Sequence, residues 1–188
     1  MRTKVWRPLA VMTLSVFMVA MMSGCPAVTY ISISDPLLEA AIREELGLPL
    51  GFLKRIDLLK LTSLDVKSLD IDDLTGLEFC TNLTFLDLSG TQVSDITPLA
   101  NLFNIRSLNL DGTPVFECTA LAGLVNLDSL SICSTLITDI QPLVTNGVNG
   151  GLGPGDFVNL SLDTLSDQGA DIDAPFLQSL GVNVIDCS

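Results

Sequence analysis

Twenty-two carboxylates, five cysteines and no histidine bound the chemistry open to this chain of 188 residues. Without histidine there is no side chain that titrates near neutral pH unperturbed, and the commonest metal ligand is missing. No Ser/His/Asp or Cys/His nucleophile can be assembled. The acids cluster twice, in "DIDD" at residues 70–73 and in "DQGADID" at residues 167–173. Neither run has the spaced ligands of an EF-hand loop, so both are read as solvated turn carboxylates. A carboxylate pair could serve glycoside hydrolysis, yet no spacing singles one out. No Cys-x-x-Cys marks a zinc site. These residues predict no cofactor, no metal and no enzyme. A surface enzyme would need turnover that vanishes when one carboxylate is changed.

The formal charge is −13. Phosphate binding needs clustered Lys/Arg, so nucleic acid is not an expected partner. The bland reading of the acidity is solubility; the sharper one is a basic partner.

"MRTKVWRPLAVMTLSVFMVAMMSGC" reads as an export signal: Arg2, Lys4 and Arg7 start it, residues 9–22 are uncharged and mostly apolar, and Ser23 and Gly24 are small. The apolar run is short for a membrane span, which needs about 20 residues. "MSGC" resembles the bacterial lipobox, with Met22 where that motif usually has Leu. The resemblance implies cleavage before Cys25, a diacylglycerol thioether on its sulfur and an acylated amine. It also implies, from Pro26, the outer membrane of a Gram-negative cell. An ordinary signal peptide and a secreted chain are the alternative. Processing would leave six basic and 22 acidic residues, net −16.

Repeats organise the rest. The pairs Leu64/Val66, Leu86/Leu88, Leu108/Leu110 and Leu130/Ile132 recur at 22-residue steps. A step of 30 is read to Leu160/Leu162, and another of 22 to Val182/Val184. Three further apolar places recur between them: Ile71, Val93, Val115 and Ile137; Leu74, Ile96, Cys118 and Ile140; Leu77, Leu99, Leu121 and Leu143. One turn could not bury these alone, but stacked turns cover one another. Apolar and polar residues alternate around each pair, the mark of a strand with one buried face. Twenty-two residues per turn is too short for a full crossover helix, so each return should be loose or 3₁₀.

The pattern resembles the leucine-rich repeat, L-x-x-L-x-L-x-x-N-x-L, in the 22-residue bacterial class of internalin-like proteins. "VSDITPLANLFN" and "ITDIQPLVTNGVN" carry the likeness in the return segment. The resemblance implies an α/β solenoid of about six parallel strands with an N-terminal helical cap. The repeat's asparagine is replaced by Leu69, Thr91, Thr113, Thr135 and Leu165. The three threonines could still form a hydroxyl ladder that caps fewer backbone groups, and Thr91 is expected to point inward and hold its turn, with Gly90 and Gly112 serving tight turns.

The domains follow: signal peptide 1–24, tether 25–33, helical cap 34–60 and repeat domain 61–188. In "SDPLLEAAIREELGLP", Ser34 or Asp35 caps a helix, Pro36 opens it and Gly47 closes it. Leu37, Leu38, Ala41, Ile42 and Leu46 make its apolar face. "KRIDLLKL" is a second short helix. "TNGVNGGLGPGD", residues 145–156, reads as a flexible surface loop. A last helix is expected at residues 175–180, followed by an edge strand.

Export leaves four cysteines besides Cys25 in an oxidising setting. Cys80 and Cys118 hold different core places and should be buried free thiols. Cys133 and Cys187 fall two turns apart, about 10 Å at normal strand spacing. That exceeds the roughly 7 Å limit for a disulfide, so no bridge is expected.

The outward residues of successive strands form the only surface that builds from turn to turn. They are Ser63, Asp65 and Lys67; Phe85, Asp87 and Ser89; Ser107, Asn109 and Asp111; Ser129, Ser131 and Cys133; Asn159, Ser161 and Asp163. By resemblance this face is concave. Asp65, Lys67, Phe85, Asp87, Ser89, Ser107, Asn109, Asp111, Ser129 and Ser131 are the candidate partner-binding residues, with Phe85 the one aromatic, either an interface anchor or a ring packed against the N-terminal cap. The row Asp65, Asp87, Asp111 and Asp163 could meet a basic segment or equally be a solvated face. The expected function is a lipid-anchored monomer that binds a protein at the cell envelope. A structural envelope component without a discrete ligand is the alternative.

Overall fold

A computed structural model describes residues 30–187. The signal segment and Cys25 lie outside the described residues. The dominant element is a parallel sheet of six strands in sequence order: β3 (Ser63–Asp65), β4 (Phe85–Asp87), β5 (Ser107–Asn109), β6 (Ser129–Ile132), β7 (Phe157–Leu160) and β8 (Asn183–Asp186). Register runs Ser63, Phe85, Ser107, Ser129, Phe157, Asn183 across it. Leu64, Leu86, Leu108, Leu130 and Val158 point inward, as do Val66, Leu88, Leu110, Ile132 and Leu160. All twelve return residues named above are buried behind them. Returns are 3₁₀ at Leu77–Phe79, Thr97–Leu99 and Thr119–Gly123. Each layer is thin and depends on its neighbours, so a core Leu→Ala change should cost about 2–5 kcal/mol.

The threonines do not form a ladder. Thr91, Thr113 and Thr135 are buried, and each hydroxyl donates to a carbonyl of its own turn: Leu88 at 2.7 Å, Leu110 at 2.6 Å and Ile132 at 2.9 Å. A hydroxyl has one donor, and a carbonyl of its own turn three residues back, with a second lone pair to offer, takes it. The ties between turns come from asparagines outside the consensus place. Asn82, Asn104 and Asn126 donate to Leu59 O, Thr81 O and Phe103 O of the preceding turn, at 2.7–2.8 Å. With the register of β7, the next such place falls on Pro154, and this series stops there.

The cap forms as expected. Asp35 starts α1 (Pro36–Leu46), its Oδ1 accepting from the Leu37 and Leu38 N–H groups. Its Oδ2 accepts from Asp72 N at 3.2 Å, so one carboxylate both caps the helix and fastens it to the first turn. Gly47 ends α1 with φ 65°. Leu38 and Ile42 are buried, whereas Leu37 is partly exposed. A ribbon of β1 (Tyr30–Ile31) and β2 (Leu53–Lys54) leads into α2 (Arg55–Leu58). Of the residues assigned to the tether from sequence, Tyr30 and Ile31 join this ribbon and Ile33 joins the core.

Four expectations near the other end need correction. First, Leu130 pairs with Val158 and Ile132 with Leu160, so the fifth inward pair is Val158/Leu160. The long step is therefore 28 residues, and the sixth pair begins at Val184. A slip of two residues leaves every side chain on its own face, so alternation cannot detect it.

Second, the glycine-rich insertion is fastened. It starts inside α3 (Gln141–Val148). Asn146 is fully buried, donates to Leu121 O (2.8 Å) and Leu124 O (3.0 Å), and accepts from Leu152 N (2.8 Å). Leu152 is buried as well. Gly151 is required by this approach, because a Cβ there would lie 2.8 Å from Asn146 Cγ.

Third, Cys133 and Cys187 form a disulfide with Cα atoms 6.0 Å apart. The two-strand spacing applies only where the middle strand runs between its neighbours. Pairing along β7 ends at Leu160, and the chain then turns into the 3₁₀ segment Leu162–Thr164.

Fourth, Asp173 is buried, not solvated. It ends the π-turn Gly169–Asp173, which leads straight into α4 (Ala174–Ser179). Burial, and next the charge of Asp139, push its carboxyl above the usual range. Cys80 and Cys118 are free and buried.

Candidate functional site

Strand alternation and exact register bring the outward residues into rows. The first row is Ser63, Phe85, Ser107, Ser129, Phe157 and Asn183; the second is Asp65, Asp87, Asn109, Ser131, Asn159 and Ile185. Lys67, Ser89, Asp111 and Cys133 follow just beyond the strand ends. The ten candidate residues thus lie together on one face over four adjacent strands. Asp163 does not join the acidic row, because it sits in the 3₁₀ turn after β7.

Phe157 is the residue that sequence reasoning missed. In the register read from sequence it would stand three residues before the inward pair Leu160/Leu162, whereas it faces outward and is 48% exposed. Phe85 is 38% exposed on the same row. Three strand steps separate them, about 14 Å at ordinary spacing. Ser107 and Ser129 lie between. The result is a shallow floor of short side chains with an aromatic wall at each side.

The carboxylates of this face are already engaged. Asp65 accepts from Lys67 N and pairs with its Nζ at 3.2 Å. Asp87 accepts from Ser89 N at 2.9 Å and from its hydroxyl at 2.6 Å. Asp111 spans to the next turn, accepting from Ser131 Oγ at 2.7 Å and Cys133 N at 2.7 Å. Asn109 Oδ1 closes its own turn on Asp111 N. These acids chiefly terminate strands, satisfying N–H groups that the ladder leaves over. Among the described residues, Asn159 Oδ1 has no hydrogen-bond partner.

A cleft of about 600 Å³ opens where this face meets the cap. Glu44 and Glu45 of α1 line it with Asp65 and Lys67, three acids against one base. Among the described residues, no group of three or more His, Cys, Asp and Glu side chains could hold a metal ion. The Cys80 and Cys118 thiols are pushed up to about 12, chiefly by burial, with Glu78 and Asp139 adding to each in turn. Neither is a nucleophile at neutral pH.

A stack of 22-residue turns with an inward Leu-x-Leu pair, a 3₁₀ return and a helical cap defines a leucine-rich repeat solenoid. Solved structures that it resembles include internalins. An internalin (inlF) of Listeria monocytogenes is 28% identical with a TM-score of 0.67, covering 81% of this chain. The present chain spans only 43% of that protein's length. Internalin C2 of the same organism shares the fold at 20% identity and a TM-score of 0.56, with 86% of this chain and 81% of that one covered. No family model matches the sequence, and no curated protein does.

Proposed function

We propose that this chain is a non-enzymatic, lipid-anchored module that binds a protein partner at the bacterial cell envelope through the concave face of its sheet. Residues 1–24 direct export, Cys25 takes the lipid, and the capped stack works as a monomer. The observation that carries the binding reading is the pair Phe85 and Phe157, half-exposed on either side of the Ser107/Ser129 floor. A monomer gains nothing by holding two aromatic rings in water on one row. Covering each would contribute on the order of 1–2 kcal/mol. The acidic cleft beside β3 favours a partner with a basic segment at that end.

A structural envelope component is favoured by one observation: Asp65, Asp87 and Asp111 are satisfied within the chain and need no partner. The two readings separate in intact cells. A photo-crosslinker at Ser107 should capture one species, and Phe85→Ser or Phe157→Ser should abolish that capture. Phe103→Ser, an exposed ring off this face, should not. Capture indifferent to both concave rings, or no capture at Ser107 and Ser129, would favour the structural component.

A further inference from the structure

Exposed apolar residues are also present on the cap. In the β1–β2 ribbon Tyr30 stands opposite Lys54, while Ile31 and Leu53 face the core. Phe52 is on the same outer side as Lys54, and its ring lies 4.9 Å from that of Tyr30. Tyr30 is 56%, Phe52 77%, Leu50 88% and Ile56 61% exposed. This is the largest run of uncovered apolar side chains near either chain end among the described residues.

Its charge differs from the rest. Residues 50–60 carry Lys54, Arg55 and Lys60 against Asp57 alone, in a chain whose processed form is net −16. Anionic lipid would repel the solenoid and attract this stretch. Tyr and Phe rings beside Lys and Arg are the composition that settles at a bilayer surface, rings among the headgroups and basic tips in water.

Position gives the occupant. Four residues separate Cys25 from Tyr30, and the five Cα–Cα steps reach at most about 18 Å. The headgroup zone itself is several ångströms deep. A lipid on Cys25 would hold the patch against the membrane at high effective concentration, so weak contacts suffice.

We propose that Tyr30, Leu50, Phe52 and Ile56, flanked by Lys54 and Arg55, form a docking face for the anionic bilayer that anchors the chain, standing the solenoid off the membrane cap-first. This rests on lipidation at Cys25. It places β8 at the far end, about 24 Å beyond β3, and leaves the concave face open to a partner.

The test uses a natural reporter. The chain has one Trp, Trp6, and one Tyr, Tyr30, so after processing Tyr30 is the sole intrinsic fluorophore of this pair. The acylated protein is reconstituted in phosphatidylglycerol/phosphatidylethanolamine vesicles with brominated acyl chains. Tyr30 emission should fall about twofold or more relative to unbrominated vesicles. Leu50→Ser with Phe52→Ser should restore it without changing the circular dichroism. Acylated protein with unquenched Tyr30 would overturn the docking face alone, and a dimer under those conditions would assign the patch to a second copy. An intact mass lacking acyl chains would overturn the lipoprotein reading and this inference with it.

Discussion

Asn146→Ala should be among the most damaging single changes in the chain. The amide is fully buried and makes three hydrogen bonds, to Leu121 O, Leu124 O and Leu152 N. The carbonyls keep a second donor each, from Leu124 N and Leu127 N. Leu152 N is left inside without a partner among the described bonds. Three net bonds of about 1 kcal/mol and an unpaired N–H of about 1–3 kcal/mol give a loss of roughly 4–6 kcal/mol. Urea unfolding followed by far-UV circular dichroism reads it. Since a solenoid can unzip from one end, the m-value should fall with the midpoint, and amide exchange at residues 147–156 should rise first. Asn146→Asp sharpens the test. Its second oxygen would face the Leu121 and Leu124 carbonyls, so only the protonated acid fits and its folded pKa is raised. The penalty should therefore shrink as pH falls through that raised value. A loss under about 1 kcal/mol for Asn146→Ala, with exchange unchanged, would show that the amide does not fasten the insertion.

Other outcomes follow from the same contacts. The Cys133–Cys187 bridge closes a 54-residue separation, so replacing both by Ser should cost up to about 4 kcal/mol. Thiol titration should find nothing reactive in the native processed protein and two groups, Cys80 and Cys118, after unfolding without reductant; four would remove the bridge. Ser134 holds a left-handed turn at φ 56°, the place that Gly112 fills one turn earlier at φ 67°. Ser134→Gly should therefore gain about 0.5–1 kcal/mol in thermal unfolding, and a loss would mean that its side chain is needed. Asp73 and Asp95 are held below the usual carboxylate range by hydrogen bonds from Thr75 and Thr97, side-chain hydroxyl first and then backbone N–H. A folded pKa below the unfolded value, about 3.9, gives stability that is complete above that value and lost as pH falls through the folded one. Thr97→Val should raise the Asp95 pKa by carboxyl NMR and bring acid unfolding to a higher pH.

What was legible in the sequence was whatever burial or a local cap dictates. Leu86 and Leu88 must face inward for the turn to exist, and Asp35, Pro36 and Gly47 each act within a few residues of their own position. The asparagine series was within reach too. Asn82, Asn104 and Asn126 recur at 22 residues just before Leu83, Ile105 and Leu127. Aligning the apolar places alone passed over them, because exposed polar residues are ordinarily free to vary. Asn146 was hidden differently. One polar residue in a glycine-rich run looks like loop, and only the carbonyls that it meets, over 20 residues back in the chain, show otherwise.

The slip of two residues at β7 bears most on function. Period-two alternation sorts side chains between core and solvent, and Val158/Leu160 satisfies it as well as Leu160/Leu162 does. Burial energy is thus nearly indifferent to the choice. The concave surface is not, since each outward residue moves one row. In the slipped register the fifth strand presents Asn159, Ser161 and Asp163, a polar continuation of an acidic face. In the observed one it presents Phe157 opposite Ser129, and Ser161 sinks beside the disulfide, its hydroxyl 3.7 Å from Cys187 Sγ. What decides between them is the insertion, through the depth at which Asn146 and Leu152 seat it before the chain re-enters the sheet. The anchoring of a loop on the buried side therefore sets which side chains the open side offers. Loosening Asn146 should weaken any partner that needs Phe157 while leaving contacts made at Phe85 intact.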